Sequence, residues 1–389
     1  MKKEEKILLE IIRNVLAGKN KSQWSLQLSE EGIERVINCA RMHGVLPFLQ
    51  ECPVFMEEPY RKKLFFYLKN YAYKDAQQTY AIEELFEQFE INEIYCMPLK
   101  GIRTKQFYPC PEFRTMGDLD ILYKEDQTER LKQVMQDAGY KFGGYNIKHD
   151  EYEKDGVAIE MHRDVLFRLT NAYDYFSDIW NRAKPAEGKH YIYEMSLEDH
   201  YLHTVCHLAE HFVRGGIGIR MVLDIYILSR ASGIDKEYVQ RQLKGLKLQK
   251  FEENIRTLAE LWFSDDEKTV RTETLDELEN YALSGGIFGS REAARRNGTV
   301  LYESKAKFIR QLIFPSYQVM KTSCPWLKTP LLLPAAWGVR YKRALMKNRK
   351  SFGYHVERMK AFDSVDDQEK RELCQFFEKC GLEDVSTNF

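Results

Sequence analysis

Two aspartates one residue apart, Asp118 and Asp120, stand in Met116-Gly-Asp-Leu-Asp-Ile-Leu-Tyr123, a run that alternates polar and apolar residues. A period of two is a strand signature, so both carboxylates share one face while Leu119 and Ile121 point into a core. Paired carboxylates on a rigid strand suit Mg²⁺ or Mn²⁺, which keep waters and take phosphate oxygens as further ligands. A solvated strand face would carry the same tripeptide, so the pair needs company. Glu160, in Val157-Ala-Ile-Glu-Met-His162, supplies a third acid by the same alternation, with His162 two residues on and facing the same way. Three acids from neighbouring strands could hold one or two divalent ions, and Glu160 could take the proton of an acceptor hydroxyl. Lys100-Gly101 lies one strand–helix unit upstream, where a lysine charge and helix N-terminal N–H groups would meet an anion. Arg103 and Arg114 flank this region, and Arg114 is placed to brace the loop or to contact a phosphate.

These residues must be positioned by strands. Residues 94–99 form a compact β-prone run that ends at Lys100-Gly101 and passes into a short helical stretch toward Tyr108. The 116–123 strand follows, then a helix over 125–138 closed by Gly139. Two further strands, 140–147 and 157–162, are expected to pair directly, with Asp155-Gly156 as the turn signal between them. Upstream, residues 1–92 repeat apolar residues at three- and four-residue spacing and read as an N-terminal helical region. Downstream, Ser196-Leu-Glu-Asp199 caps the first of several helices, punctuated at Gly215-Gly216, Gly233, Gly285-Gly286 and Pro315. The expected fold is α+β: a small mixed β-sheet core over 93–195, flanked by N-terminal helices and by a C-terminal all-helical domain over 196–389.

Composition narrows the partners. A formal net charge of −1 gives no global pull toward nucleic acid or an anionic membrane, so a polyanion must be recognised locally. The 8 cysteines are scattered without a CxxC pair, which fits reduced thiols rather than a disulfide framework or a zinc site. No stretch reaches the apolar length a bilayer needs, and acids interrupt the apolar residues of the first helix, unlike a signal peptide. The expectation is a cytoplasmic protein with no membrane partner.

The run from Pro98 to Tyr123, followed by Gly139-Tyr140, His149 and Ile159-Glu-Met-His162, resembles an uncharacterised nucleotidyltransferase family of the DNA polymerase β-like superfamily. The likeness extends to Leu202-His-Thr-Val-Cys-His-Leu-Ala-Glu-His-Phe212, the 220–224 segment, Gly285-Gly-Ile-Phe-Gly289, Phe314-Pro315 and Leu331-Leu-Leu-Pro334, covering most of the chain from about residue 90 on. The resemblance implies that Asp118 and Asp120 hold metal and that Glu160 is the third acid. Lys100-Gly101 then takes the place of the Gly-Ser turn of better-studied members, so phosphate binding would rest on Lys100 and the helix N-terminus, with Arg103, Arg114 and His162 as further nucleotide contacts. The implied reaction moves a nucleoside monophosphate, AMP being the expected one, from a Mg²⁺- or Mn²⁺-bound NTP such as ATP to an acceptor hydroxyl or phosphate on a small molecule, peptide or RNA.

Three other features compete. His203, His207 and His211 recur every four residues beside Glu210 and His200, a spacing that would suit a histidine-centred metal hydrolase or a cleft lining. The tract Arg340-Tyr-Lys-Arg-Ala-Leu-Met-Lys-Asn-Arg-Lys350 and the Arg61-Lys62-Lys63 neighbourhood carry the charge of an RNA contact, although solvated helix faces look the same. Asp224 is expected to pair with Arg220 at i,i+4. An antitoxin-like regulatory protein that kept the fold without turnover is the alternative from another class. Three mutually repelling acids argue against it, because a lost activity places no demand on them.

Overall fold

Alternation does set the sheet. In the computed structural model, which describes residues 1–20, 24, 28–145, 149–166, 172–265, 270–302, 304–324, 326–347 and 359–383, a five-stranded mixed sheet lies amid helices in an α+β fold. The lead-in is helical: α1 (Lys3–Leu16), α2 (Glu30–Met42) and the 32-residue α3 (Tyr60–Ile91). Then come β1 (Cys96–Pro98), α4 (Lys100–Thr104), β2 (Leu119–Tyr123), α5 (Thr128–Asp137), β3 (Lys141–Tyr145), β4 (His149–Lys154) and β5 (Val157–His162). The order across the sheet is β1-β2-β5-β4-β3, with β2 and β5 parallel and the other pairs antiparallel.

One strand differs from expectation. The strand over 157–162 does not pair with the one near 140–145; β4 inserts between them and makes the hairpin with β5 through Asp155-Gly156. Five of the six residues of β4 are charged or histidine, so it lacks the apolar alternation that marks a strand. Residues 146 and 147 of the expected third strand lie outside the described residues.

Each face of the sheet has its own partner. Leu119, Ile121 and Tyr123 of β2 and Val157, Ile159 and Met161 of β5 are buried with Leu85 and Phe89 of α3 and with Leu131 and Met135 of α5. Asp120, Glu160 and His162 therefore turn to the opposite face, toward the later helices.

After the sheet come α6 (Tyr173–Phe176), α7 (Ile179–Arg182), the hairpin β6 (Lys184–Pro185) and β7 (Tyr193–Glu194), and then α8 (Leu197–Arg214), α9 (Ile219–Ser229), α10 (Lys236–Gly245) and α11 (Gln249–Phe263). Ser196 caps α8 as expected, its hydroxyl accepting from the Asp199 N–H. Helix α11 packs on both α1 and α9, and one apolar core joins Leu8 and Ile12 to Leu223, Phe251 and Trp262. Helices at Glu273–Leu283, Arg291–Leu301 and Asp367–Cys380 close that core. The basic tract begins inside the helix Leu333–Lys347, and residues 348–350 lie outside the described ones. Among the described residues, no helix is long and apolar enough to cross a membrane.

His43, at the end of α2, ties the lead-in to the start of α9 by accepting from the Ile219 N–H at 3.3 Å through Nδ1. Burial, then the charge of Lys2, push its pKa down from 6.5 to about 4. As pH falls, the unfolded chain takes up this proton first, so the contribution is intact above pH 6.5 and lost toward pH 4, worth roughly 3 kcal/mol. In denaturant titrations at pH 7.5 and 4.5, His43→Asn should lose less stability on acidification than the wild type. An equal loss in the two proteins would contradict this.

Candidate active site

The geometry starts at β2 and β5. Their parallel register sets Asp120 beside Glu160 and Leu122 beside His162, so two acids and an imidazole share one sheet face. Asp118 sits in the bend just before β2. On the other side of β2, Leu99 donates its N–H to the Asp120 carbonyl at 2.9 Å, extending the β1 ladder by one residue. That brings Lys100 alongside Asp120, with Nζ 2.6 Å from Asp120 Oδ1. Lys100 holds a left-handed backbone, φ 43°, which costs a residue with a Cβ about 1 kcal/mol or more.

The charges answer one another. Burial alone would raise the Asp120 pKa, but Lys100 and His162 outweigh it and hold the carboxyl well below its ordinary value. His162 Nε2 lies 2.8 Å from Asp120 Oδ1 and 3.4 Å from Glu160 Oε2. His149, opposite His162 in the β4–β5 register, places Nδ1 3.1 Å from Glu160 Oε2. Glu160 is lowered because His162 and His149 overcome its burial and the Asp120 charge. Lys100 is raised because Asp120, Glu160 and Asp118 overcome its burial. Asp118 is the exception: burial first, then Asp120 and Glu160, push it up to about 6.

Asp118, Asp120 and Glu160 bring carboxylate oxygens to one side of the same cleft, a donor chemistry that fits a hard divalent cation. A further donor set lies beside it: ligand atoms of His149, Glu160 and His162 are all within 4.8 Å of one another. His162 is expected from sequence as a nucleotide contact and His149 carries no expected role; their cross-strand register brings the two together.

The acids form one wall of a cleft of about 370 Å³. The far wall is α8, through Thr204, His207, Glu210, His211 and Arg214, together with Phe288. Phe288 stacks on His211 with centroids 5.0 Å apart, and His211 Nε2 lies 3.2 Å from His207 Nε2. The segment carrying Phe288 crosses the end of α8 so closely that a Cβ on Gly289 would lie 1.7 Å from the Gly215 carbonyl oxygen, so only glycine fits there. The histidine ladder does not act as one set. His203 is buried against Phe176, and His207 and His211 are the members that line the cleft.

Both arginines pair with acids of the protein, and Arg114 also lines the cleft. The Arg103 guanidinium pairs with Glu194 and donates to the Met195 carbonyl, tying α4 to β7. Arg114 is buried and bidentate to Asp224, at 2.8 Å through both Nε and Nη2. Asp224 also accepts from the Tyr108 hydroxyl at 2.7 Å, while Arg220 donates to the Thr115 carbonyl at 2.8 Å. The expected i,i+4 pair of Arg220 with Asp224 is therefore replaced by a link 110 residues long, because a planar guanidinium matches both carboxylate oxygens at once. Gly101 is needed here as well: a Cβ would come within 2.6 Å of Arg114 Nη1.

Asp224→Asn leaves Arg114 buried without its counter-charge and should cost about 3–5 kcal/mol. Chemical denaturation checks this, and a loss under about 1 kcal/mol would refute the pair as the bolt between the sheet and α9.

Comparison with known proteins adds one match. The sequence profile of a family described as uncharacterised nucleotidyltransferase covers residues 29–264, well over half of the chain. It begins inside the helical lead-in and ends before the glycine-rich segment at 285–289. No curated protein and no solved structure matches the chain.

Proposed function

The chain belongs to this uncharacterised nucleotidyltransferase family, and from that premise we propose that the cleft between the sheet and α8 transfers a nucleoside monophosphate, AMP in the first instance, from an NTP to an acceptor hydroxyl or phosphate. The observation that carries the reading is the register of Asp120 with Glu160 on parallel strands, with Asp118 and Lys100 on the same cleft. Asp118, Asp120 and Glu160 would hold Mg²⁺ or Mn²⁺, which when bound neutralises triphosphate charge and orients the leaving pyrophosphate.

The residues of the chain do the rest. Lys100 supplies a fixed positive charge within reach of a triphosphate, and its contact with Asp120 keeps it aimed into the cleft. Helix α4 has only 5 residues, so its N-terminus adds little beside that charge. Glu160, ionised by its two histidines, is the group to accept the acceptor's proton. His162 holds both Asp120 and Glu160 in place. The α8 wall, with Phe288 over His211, offers a stacking surface and polar groups to the base or the acceptor. Positioning and charge stabilisation dominate such transfers, so removing one acid should cost far more rate than fold.

Incubation with each labelled NTP and Mg²⁺ or Mn²⁺ in a cell extract, read by mass spectrometry for a nucleotidylated product, tests this. Asp118→Asn and Asp120→Asn should lower transfer at least ~100-fold with an unchanged circular dichroism spectrum. Full transfer by either variant would sink the assignment. Binding of Mg²⁺-ATP with no turnover on any acceptor would favour the antitoxin-like reading instead.

A further inference from the structure

The sheet face holds more nitrogen than a Mg²⁺ site calls for. His149 opens β4 and stands opposite His162 on β5, and the hairpin closed at Asp155-Gly156 fixes that pairing. Their ring centroids are 5.0 Å apart, and both side chains are more than nine-tenths buried, 9% and 3% exposed. Glu160 Oε2 sits between them, 3.1 Å from His149 Nδ1 and 3.4 Å from His162 Nε2. Asp120 Oδ1, 2.8 Å from His162 Nε2, adds a second oxygen at the edge of the group.

We infer that His149 and His162 are direct ligands of a cation in this cleft, forming with Glu160 a two-histidine, one-carboxylate site that takes a divalent transition-metal ion in preference to Mg²⁺. The inference deepens the proposed function and rests on it only for the expectation that the cleft holds a cation. Its grounds are chemical. Mg²⁺ demands oxygen ligands in a tight octahedron, whereas imidazole suits first-row transition ions, for which two histidines and a carboxylate on one face form a recurring set. Two adjacent strands supply the three side chains here, a rigid arrangement that needs little movement to close on an ion. The alternative is that both imidazoles serve only as hydrogen-bond partners of the acids, and the test separates the two.

Purified full-length protein is titrated with Mn²⁺ alone and read by pulsed electron paramagnetic resonance, which detects nitrogen nuclei coupled directly to the ion. Couplings from two inequivalent imidazole nitrogens are expected. His149→Ala, and His149→Gln as a second variant should the first fold poorly, should each remove one coupling and weaken Mn²⁺ binding at least tenfold. The affinity for Mg²⁺, measured by competition, should change by less than threefold. Bound Mn²⁺ without nitrogen coupling, no binding at millimolar Mn²⁺, or equal affinities for Mn²⁺ and Mg²⁺ in the wild type would each overturn the inference. Nucleotidyl transfer with an all-oxygen cation site would sink this inference and leave the proposed function standing. Nitrogen-coupled Mn²⁺ with no transfer to any acceptor would do the reverse.

Discussion

A carboxylate 95% removed from water stays charged only where cations and donors answer it, and Asp120 is that carboxylate. The parallel pairing of β2 with β5 forces the difficulty, because it lays Glu160 directly beside it. Lys100 and His162 meet the charge of Asp120, while His149 and His162 meet that of Glu160. Lys100 reaches its place at the expense of a left-handed backbone, and His149 depends on a strand with almost no apolar residues. One carboxyl moves the other way. Asp118 is pushed up to about 6 by burial and by the charges of Asp120 and Glu160, against the pull of Lys100.

The scaffold keeps this face opposed to α8. Arg114 and Asp224 bolt the loop before β2 to α9, and Gly101 gives the guanidinium room. At the far end, the contact of Gly289 with Gly215 sets Phe288 against His211 and finishes the second wall. Both links join segments far apart in the chain, so the cleft is a product of tertiary packing and not of any local motif. The family to which the chain belongs makes nucleotide transfer the reading for a cleft with three acids on one side and a stacking surface on the other.

What the sequence disclosed follows from how local each signal is. Period-two alternation around Leu119 and Ile121, and around Ile159 and Met161, is local and placed Asp120 and Glu160 on the correct face. The i,i+4 rule is local too, but it misassigned Asp224, because helix neighbours form a default that a buried bidentate arginine overrides. Strand β4 was invisible because His149-Asp-Glu-Tyr-Glu-Lys154 reads as solvated chain. Its buried Asp150 is paired by Arg163, 13 residues on, which no pattern announces. With β4 unseen, the meeting of His149 and His162 was unseen as well. Arg103 and Arg114 read as nucleotide contacts, or for Arg114 as a brace of the loop, because charge near a glycine turn is all the sequence offers, while the residues they pair with, Glu194 and Asp224, lie in later elements.

The most direct test of the central claim is a crystal structure with Mn²⁺ and a non-hydrolysable NTP, in which anomalous scattering locates the ion. The account predicts a peak bound by carboxylates among Asp118, Asp120 and Glu160, with the triphosphate beside Lys100 and the base against the α8 wall. A nucleotide seated elsewhere, or an ion bound away from these three acids, would contradict it.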